Sequence, residues 1–117
     1  MPTILVVEDE PAIAEVVRAT LEWAGYRVLV AADGREALAR LAAGRPDLVL
    51  SDVMLPRLDG RDLVRALRAE PAYATIPVAL MSAAGAQVAG GELADVPFLR
   101  KPFDLDELLA LVARLLG

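Results

Sequence analysis

Chemically versatile side chains follow four of the five short apolar runs in this 117-residue chain. An acidic triplet, Glu8 to Glu10, follows the first run, and Asp52, Ser82 and Lys101 follow the third, fourth and fifth. Carboxylates are the ligands that Mg²⁺ prefers, an aspartate can act as a nucleophile, and an ammonium group can pair with a phosphate. Together these residues predict phosphoryl transfer onto Asp52.

Each of these residues also has a simpler structural interpretation. Acids in a first helical turn favour the helix dipole, which accounts for one or two of the triplet. Ser82 can satisfy a strand-end backbone group, and Lys101 alone would be a solvated surface charge. Asp52 fits such an interpretation poorly, because apolar residues precede and follow it.

Asp9 and Asp52 would lie a few ångströms apart if the first and third strands are neighbours. At an effective dielectric constant of about 20, their repulsion is about 4 kcal/mol. A cation or a shared proton must relieve it, and Mg²⁺ is the natural candidate, since it leaves room for phosphate oxygens.

These residues must be positioned by an alternation of strands and helices that occurs five times. Segments with apolar residues at helical spacing separate the short runs, which indicates a parallel sheet covered on both faces. We expect one α/β domain over residues 1–117, with ligands at the carboxyl ends of the strands. The runs are Ile4–Val7, Arg27–Val30, Leu48–Leu50, Ile76–Met81 and Phe98–Leu99.

Helix boundaries are visible at several positions. Pro11 suits a first helical turn after an acidic cap, and Asp104 with Glu107 resembles a capping box that opens a last helix over Leu105–Leu116. Glycines among alanines make the segment from Ala83 to Pro97 a poor helix, so we expect the fourth helix to be short or irregular.

Composition excludes several classes of function. The chain has no cysteine and no histidine, so it has no disulfide, thiol nucleophile or histidine-based triad. Its net charge of -5 argues against direct binding to nucleic acid or an anionic membrane. Arginines at helical spacing from Arg57 to Arg68 are best interpreted as an exposed helix face. No run is long enough to span a bilayer and no leader is evident, so we expect a cytoplasmic protein.

As an ordered set, four segments resemble the receiver domains of two-component response regulators, in particular the chemotaxis-regulator-like ones. The resemblance runs from Ile4 to Leu116. It rests on LVVEDEP at residues 5–11, LSDVMLP at 50–56 with DG at 59–60, MSA at 81–83 and KPF at 101–103. It implies a flavodoxin-like, doubly wound sheet of five strands in the order 2-1-3-4-5, with five helices.

The resemblance also implies a role for each site residue. Asp52 would accept the phosphoryl group from a histidine of a sensor kinase or phosphotransfer protein in a phosphorelay. Glu8 and Asp9 would hold Mg²⁺ with Asp52 and the backbone carbonyl of Met54, and Lys101 would pair with the acids and then the phosphoryl group. The resemblance further implies a cis peptide bond before Pro102. It also implies a switch in which Ser82 and Phe98 change the surface formed by helix 4, strand 5 and helix 5, to which a downstream protein binds.

Two alternatives remain beside the phosphoacceptor hypothesis. A Mg²⁺-dependent phosphohydrolase with an aspartate nucleophile would, by resemblance, need an Asp-x-Asp pair after the first strand, and Glu8-Asp9-Glu10 lacks it. A receiver that only binds proteins would not need the intact acid, serine and lysine set. We therefore expect no enzyme activity beyond self-phosphorylation and self-dephosphorylation at Asp52, in a stand-alone regulator or in part of a longer one.

Overall fold

Strands and helices alternate along the chain in a computed structural model that describes residues 1–83 and 91–117. The strands are β1 (Thr3–Val7), β2 (Arg27–Ala31), β3 (Leu48–Asp52), β4 (Val78–Ser82) and β5 (Phe98–Arg100). The α-helices are α1 (Pro11–Trp23), α2 (Gly34–Ala43), α3 (Gly60–Ala69) and α4 (Leu105–Leu116). Within the described ranges, no helix combines the length and apolar character needed to cross a membrane.

The five strands form one parallel sheet in the order β2-β1-β3-β4-β5. This order confirms the flavodoxin-like topology implied by the resemblance. The order reverses at β1, because β2 lies on one side of it and β3 on the other. In such sheets the crevice for a ligand lies outside the carboxyl ends of the strands at this reversal.

Alternate residues of the central strands pack on opposite faces of the sheet. Ile4 and Val6 of β1 belong to a core cluster with residues of α1 and α4, whereas Leu5 and Val7 pack with residues of α2 and α3. All four are at most 1% exposed. The central strands are thus buried on both faces, as the apolar runs predict for a parallel sheet.

The predicted fourth helix falls on a segment that is described only in part. Residues 84–90 lie outside the described residues, and the part that follows contains a 3-10 helix at Gly91–Leu93. Leu93 and Val96 are buried in a third core cluster, which includes Leu80 of β4. The described residues therefore contain four α-helices, and the predicted fifth helix is α4.

The helix starts follow the predicted residues, with one difference. Pro11 occupies the first turn of α1, and the Glu107 carboxylate accepts a hydrogen bond from the Asp104 backbone N–H at 3.2 Å. Glu10 takes the N-cap position of α1, yet its side chain makes no capping hydrogen bond. It instead lines a pocket at the carboxyl edge of the sheet.

Candidate functional site

The predicted site residues converge at the carboxyl edge of the sheet because parallel strands end at the same edge. Glu8 follows β1, Asp52 and Ser82 end β3 and β4, and Lys101 follows β5. The Lys101 backbone N–H donates to the Ser82 carbonyl at 3.0 Å, which joins the last two positions. Strand register aligns the ends through the pairs Val7 with Ser51, Asp52 with Met81, and Ser82 with Arg100.

Lys101 binds two of the predicted acids. Its Nζ lies 2.6 Å from Glu8 Oε1 and 3.2 Å from Asp52 Oδ2. The Lys101 side chain is 16% exposed and that of Glu8 only 1%, so neither is a solvated surface charge. Asp52 is also buried, at 7% exposed as a residue. The simpler interpretation of Lys101 as a surface charge is therefore wrong.

Burial and neighbouring charges shift two ionisation equilibria in this cluster. Burial, together with the negative charge of Asp52, raises the pKa of Glu8, although the hydrogen bond from Lys101 opposes this. Burial lowers the pKa of Lys101, but its hydrogen bond to Glu8 and the charges of Asp52 and Glu8 outweigh burial and raise it overall. The ammonium form of Lys101 is therefore favoured at neutral pH.

Three carboxylates at this edge form a group that fits a hard divalent cation. Glu8, Asp9 and Asp52 each offer an oxygen, and these oxygens lie within 4.8 Å of one another. Lys101 supplies one positive charge to the cluster, fewer than the three negative charges of the ionised carboxylates. An all-oxygen ligand set with excess negative charge suits Mg²⁺, which also retains waters that a phosphate can displace.

A pocket of about 550 Å³ opens beside Asp52. The predicted residues Ser82, Met54 and Lys101 line it with Asp52, and Glu10, Ile13 and Ala83 complete its wall. A second, mostly apolar pocket of about 470 Å³ shares Ile13, Ala83 and Lys101 with it and extends to Phe103. The Asp52 carboxylate is therefore buried at its base and still borders open space.

Phe98 lies away from the pocket wall. It is half-buried on β5 and packs against the third core cluster, which contains Val53 and Leu80. Val53 directly follows Asp52 in the chain, and Leu80 pairs with Phe98 across β4 and β5. Apolar packing thus connects the neighbour of Asp52 with the outer strand. The Lys101–Pro102 peptide bond is cis, as the resemblance implies.

Two residues that hold the Asp52 backbone had no assigned role in the sequence. The Ser51 hydroxyl donates to the Asp52 carbonyl at 2.9 Å in a fully buried position. The Gly60 Cα approaches the same carbonyl so closely that an added Cβ would lie 2.4 Å from its oxygen. Asp59 and Gly60 belong to the motif that carries the resemblance, but the sequence does not show this contact of Gly60, the first residue of α3.

The loop after Asp52 is also attached to the start of α2. Arg57 has a positive φ of 63° and its Nη1 lies 2.5 Å from Asp33 Oδ2, at the N-cap of α2. The Gly34 N–H donates to the Leu58 carbonyl at 3.2 Å. The segment that carries Met54 is thus held by contacts with α2 as well as α3.

Comparison with known proteins identifies the family. The family model described as "Response regulator receiver domain" matches residues 4–113. "DNA-binding dual master transcriptional regulator RpaA" of Synechocystis sp. is 40% identical over 119 residues, which cover 99% of this chain and 49% of that protein. "Response regulator MprA" of Mycolicibacterium vanbaalenii is 44% identical over 116 residues, which cover 97% and 49%. This chain thus spans about half the length of these curated relatives.

Solved structures support the same assignment. Chemotaxis response regulator CheY4 of Vibrio cholerae aligns with a TM-score of 0.89 at 34% identity, covering 98% of each chain. The signal receiver domain of a signal transduction histidine kinase from Syntrophus aciditrophicus aligns at 0.88 with 36% identity, covering 99% of this chain and 90% of that one. With its topology and acidic edge, this chain belongs to the response regulator receiver domains of two-component signal transduction.

Proposed function

We propose that Asp52 is the phosphoacceptor of this receiver domain. The observation that carries the proposal is the placement of its buried carboxylate beside both Lys101 and an open pocket. Burial excludes bulk water from one side, and the pocket leaves the other side open to a donor. A carboxylate held in this way is prepared for nucleophilic attack on phosphorus.

In this proposal the donor is a phosphohistidine on a sensor histidine kinase or a phosphotransfer protein. The chain contains no histidine, so a phosphohistidine donor lies outside it. An Asp52 oxygen attacks phosphorus, a P–O bond forms, and the P–N bond breaks with its electron pair leaving on the donor imidazole. The product is an aspartyl phosphate. In the same proposal, hydrolysis of this bond returns Asp52 to its free form, and no external phosphoester is turned over.

Glu8, Asp9, Asp52 and the backbone carbonyl of Met54 would hold Mg²⁺ in this proposal. When bound, Mg²⁺ offsets the charge of the carboxylates and of the phosphoryl oxygens. Lys101 moves its ammonium group from Asp52 onto a phosphoryl oxygen, where a compact point charge fits. Each of these residues stabilises negative charge that would otherwise repel the donor.

Ser82 and Phe98 form the proposed switch. The Ser82 hydroxyl donates a hydrogen bond to a phosphoryl oxygen, and Phe98 moves inward against the cluster that it already contacts. This movement changes the surface formed by β5, α4 and the preceding predicted fourth helix, part of which lies outside the described residues. A downstream protein target binds that surface.

The proposal places the domain in the cytoplasm, without direct contact to nucleic acid or membrane. The net charge of -5 supports the lack of such contacts, because the domain repels a phosphate backbone and an anionic lipid surface. DNA binding appears in the name of one relative, of which this chain matches about half. We assign any such activity to regions other than this domain.

The test uses acetyl phosphate as a small donor, with Mg²⁺ and intact-mass measurement. We expect one phosphoryl adduct that depends on Mg²⁺ and is lost in Asp52→Asn. Asp106→Asn, at an exposed residue in the first turn of α4, is the matched control and should keep the adduct. Absence of the adduct, or its persistence in Asp52→Asn, contradicts the proposal. Repeated turnover of an external phosphoester would instead favour the phosphohydrolase.

A further inference from the structure

The sulfur atoms of the chain belong to three methionines, since it has no cysteine. Met81 is 0% exposed in β4, whereas Met1 is 87% and Met54 63% exposed. Met54 shares the pocket wall with Asp52, Ser82 and Lys101. A solvent-borne two-electron oxidant therefore meets no competing thiol and finds one accessible thioether at the candidate phosphoryl site.

We propose that Met54 is a peroxide-sensitive modification site, and that its oxidation to the sulfoxide shortens the lifetime of the phosphoryl group on Asp52. The second half of this statement rests on the proposed function. The first half rests on exposure alone.

The chemical step needs hydrogen peroxide as the co-reactant. The Met54 sulfur attacks one peroxide oxygen, an S–O bond forms, and the O–O bond breaks. The departing hydroxide gains the proton left from the transferred oxygen and becomes water. Sulfur is oxidised by two electrons and peroxide is reduced by two. Methionine sulfoxide reductases reverse this modification, so the change is suited to a transient signal.

The product changes the character of the pocket wall. Met54, Ile13 and Ala83 supply apolar surface beside Asp52, and a sulfoxide replaces part of it with a strong dipole and a hydrogen-bond acceptor. A sulfoxide oxygen accepts hydrogen bonds from water, so the more polar wall brings water next to the phosphoryl group. This access of water speeds hydrolysis.

The first measurement is peptide-mapped oxidation by dilute hydrogen peroxide. We expect Met54 to oxidise at least about tenfold faster than Met81, because its side chain is exposed and that of Met81 is enclosed. Equal rates at the two sites would overturn the assignment of Met54. This measurement requires no phosphorylation, so its result stands whether or not Asp52 accepts phosphate.

The second measurement compares phosphoryl lifetimes before and after peroxide treatment, in the natural chain and in Met54→Leu. Leucine keeps the backbone carbonyl and the apolar side chain but cannot be oxidised, and this variant retains Met1 as an internal control. We expect the lifetime to fall by about threefold or more in the natural chain and to stay unchanged in Met54→Leu.

An unchanged lifetime after complete oxidation of Met54, or an equal fall in Met54→Leu, overturns the coupling. If untreated protein takes up no phosphate at all, the proposed function fails, and the coupling fails with it. Faster oxidation of Met54 than of Met81 would still support the modification site by itself.

Discussion

Replacing Gly60 by alanine tests whether the backbone contact behind Asp52 supports the site. Gly60 opens α3, and its N–H donates to the Val53 carbonyl at 2.9 Å. An alanine Cβ there would lie 2.4 Å from the Asp52 carbonyl oxygen and 2.9 Å from the Val53 Cα. Both neighbours are backbone atoms at the end of a central strand, so they cannot rotate away as a flexible side chain would.

The size of the effect follows from this geometry. Relief of the overlap requires a shift of roughly 1 Å between β3 and α3, and overpacking of this kind costs about 1–3 kcal/mol. Alanine also makes the unfolded chain less flexible than glycine does, and this raises the free energy of unfolding by about 0.4–1 kcal/mol. We expect a net loss of about 1.3 kcal/mol, which lowers the melting temperature of a domain this size by about 5 °C.

Gly44→Ala is the matched control. Nothing lies within 4 Å of a Cβ built at Gly44, and its φ of 179° is extended backbone that alanine adopts without strain. This variant should therefore gain about 0.4–1 kcal/mol. Thermal and urea unfolding followed by circular dichroism measure both changes. Trp23 is a poor fluorescence probe, since it is already 83% exposed in the folded state.

Phosphorylation by acetyl phosphate provides the second readout for Gly60→Ala. A shift of the Asp52 carbonyl displaces the attached side chain, so we expect slower phosphorylation at temperatures where the variant is fully folded. The reasoning is refuted if Gly60→Ala is as stable as Gly44→Ala, because the close approach would then cost nothing.

Three further changes separate the roles of charges in the molecule. Lys101→Arg should keep the melting temperature within a few degrees yet slow phosphorylation by at least about tenfold, because a planar guanidinium replaces a compact ammonium group. Intact mass measures the rate of phosphorylation, and an undiminished rate contradicts this. Asp52→Asn should stabilise the Mg²⁺-free protein by about 1 kcal/mol, since it removes repulsion with both Glu8 and Asp9 and loses only one ion pair, with Lys101. It should also weaken stabilisation by Mg²⁺, and a lower melting temperature than that of the natural chain without Mg²⁺ would oppose this. Asp59→Ala should cost about 1 kcal/mol at neutral pH, because the Asp59 carboxylate caps α3 through the Asp62 N–H at 3.0 Å. Although burial raises the pKa of Asp59, that hydrogen bond and Arg61 lower it overall. The contribution of the Asp59 carboxylate to stability is therefore present above the unfolded-state pKa and is lost as pH falls through the folded-state pKa. The unfolding curves of the natural chain and Asp59→Ala should converge as pH falls below about 4, and a constant gap between them would argue against the cap.

The predicted strands match the structure closely where side-chain pattern and backbone pairing coincide. The run from Ile76 predicts that β4 starts two residues too early. Ile76 is buried, but it lies in a turn, where its backbone N–H donates to the Tyr73 carbonyl. Burial alone does not distinguish a core turn from a strand. β3 continues through Ser51 and Asp52, since ladder hydrogen bonds join backbone groups and tolerate polar side chains.

The sequence predicts which residues form the site, because parallel strands bring their carboxyl ends together. Its supports were less visible. The Ser51 hydroxyl and the Gly60 Cα both act on the Asp52 carbonyl, and a backbone oxygen leaves no mark in the sequence. The positive φ of Arg57 is similarly hidden, since glycine is the residue that usually reports this conformation.

The ion pair between Glu8 and Lys101 joins residues 93 positions apart. During synthesis the acidic side chains leave the ribosome first, and their counter-charge arrives only with the last strand. Until β5 joins the sheet, the carboxylates repel one another without the ammonium group between them. Assembly of the edge is therefore a late event, and a nascent chain presents no competent acceptor before nearly all of the fold has been translated.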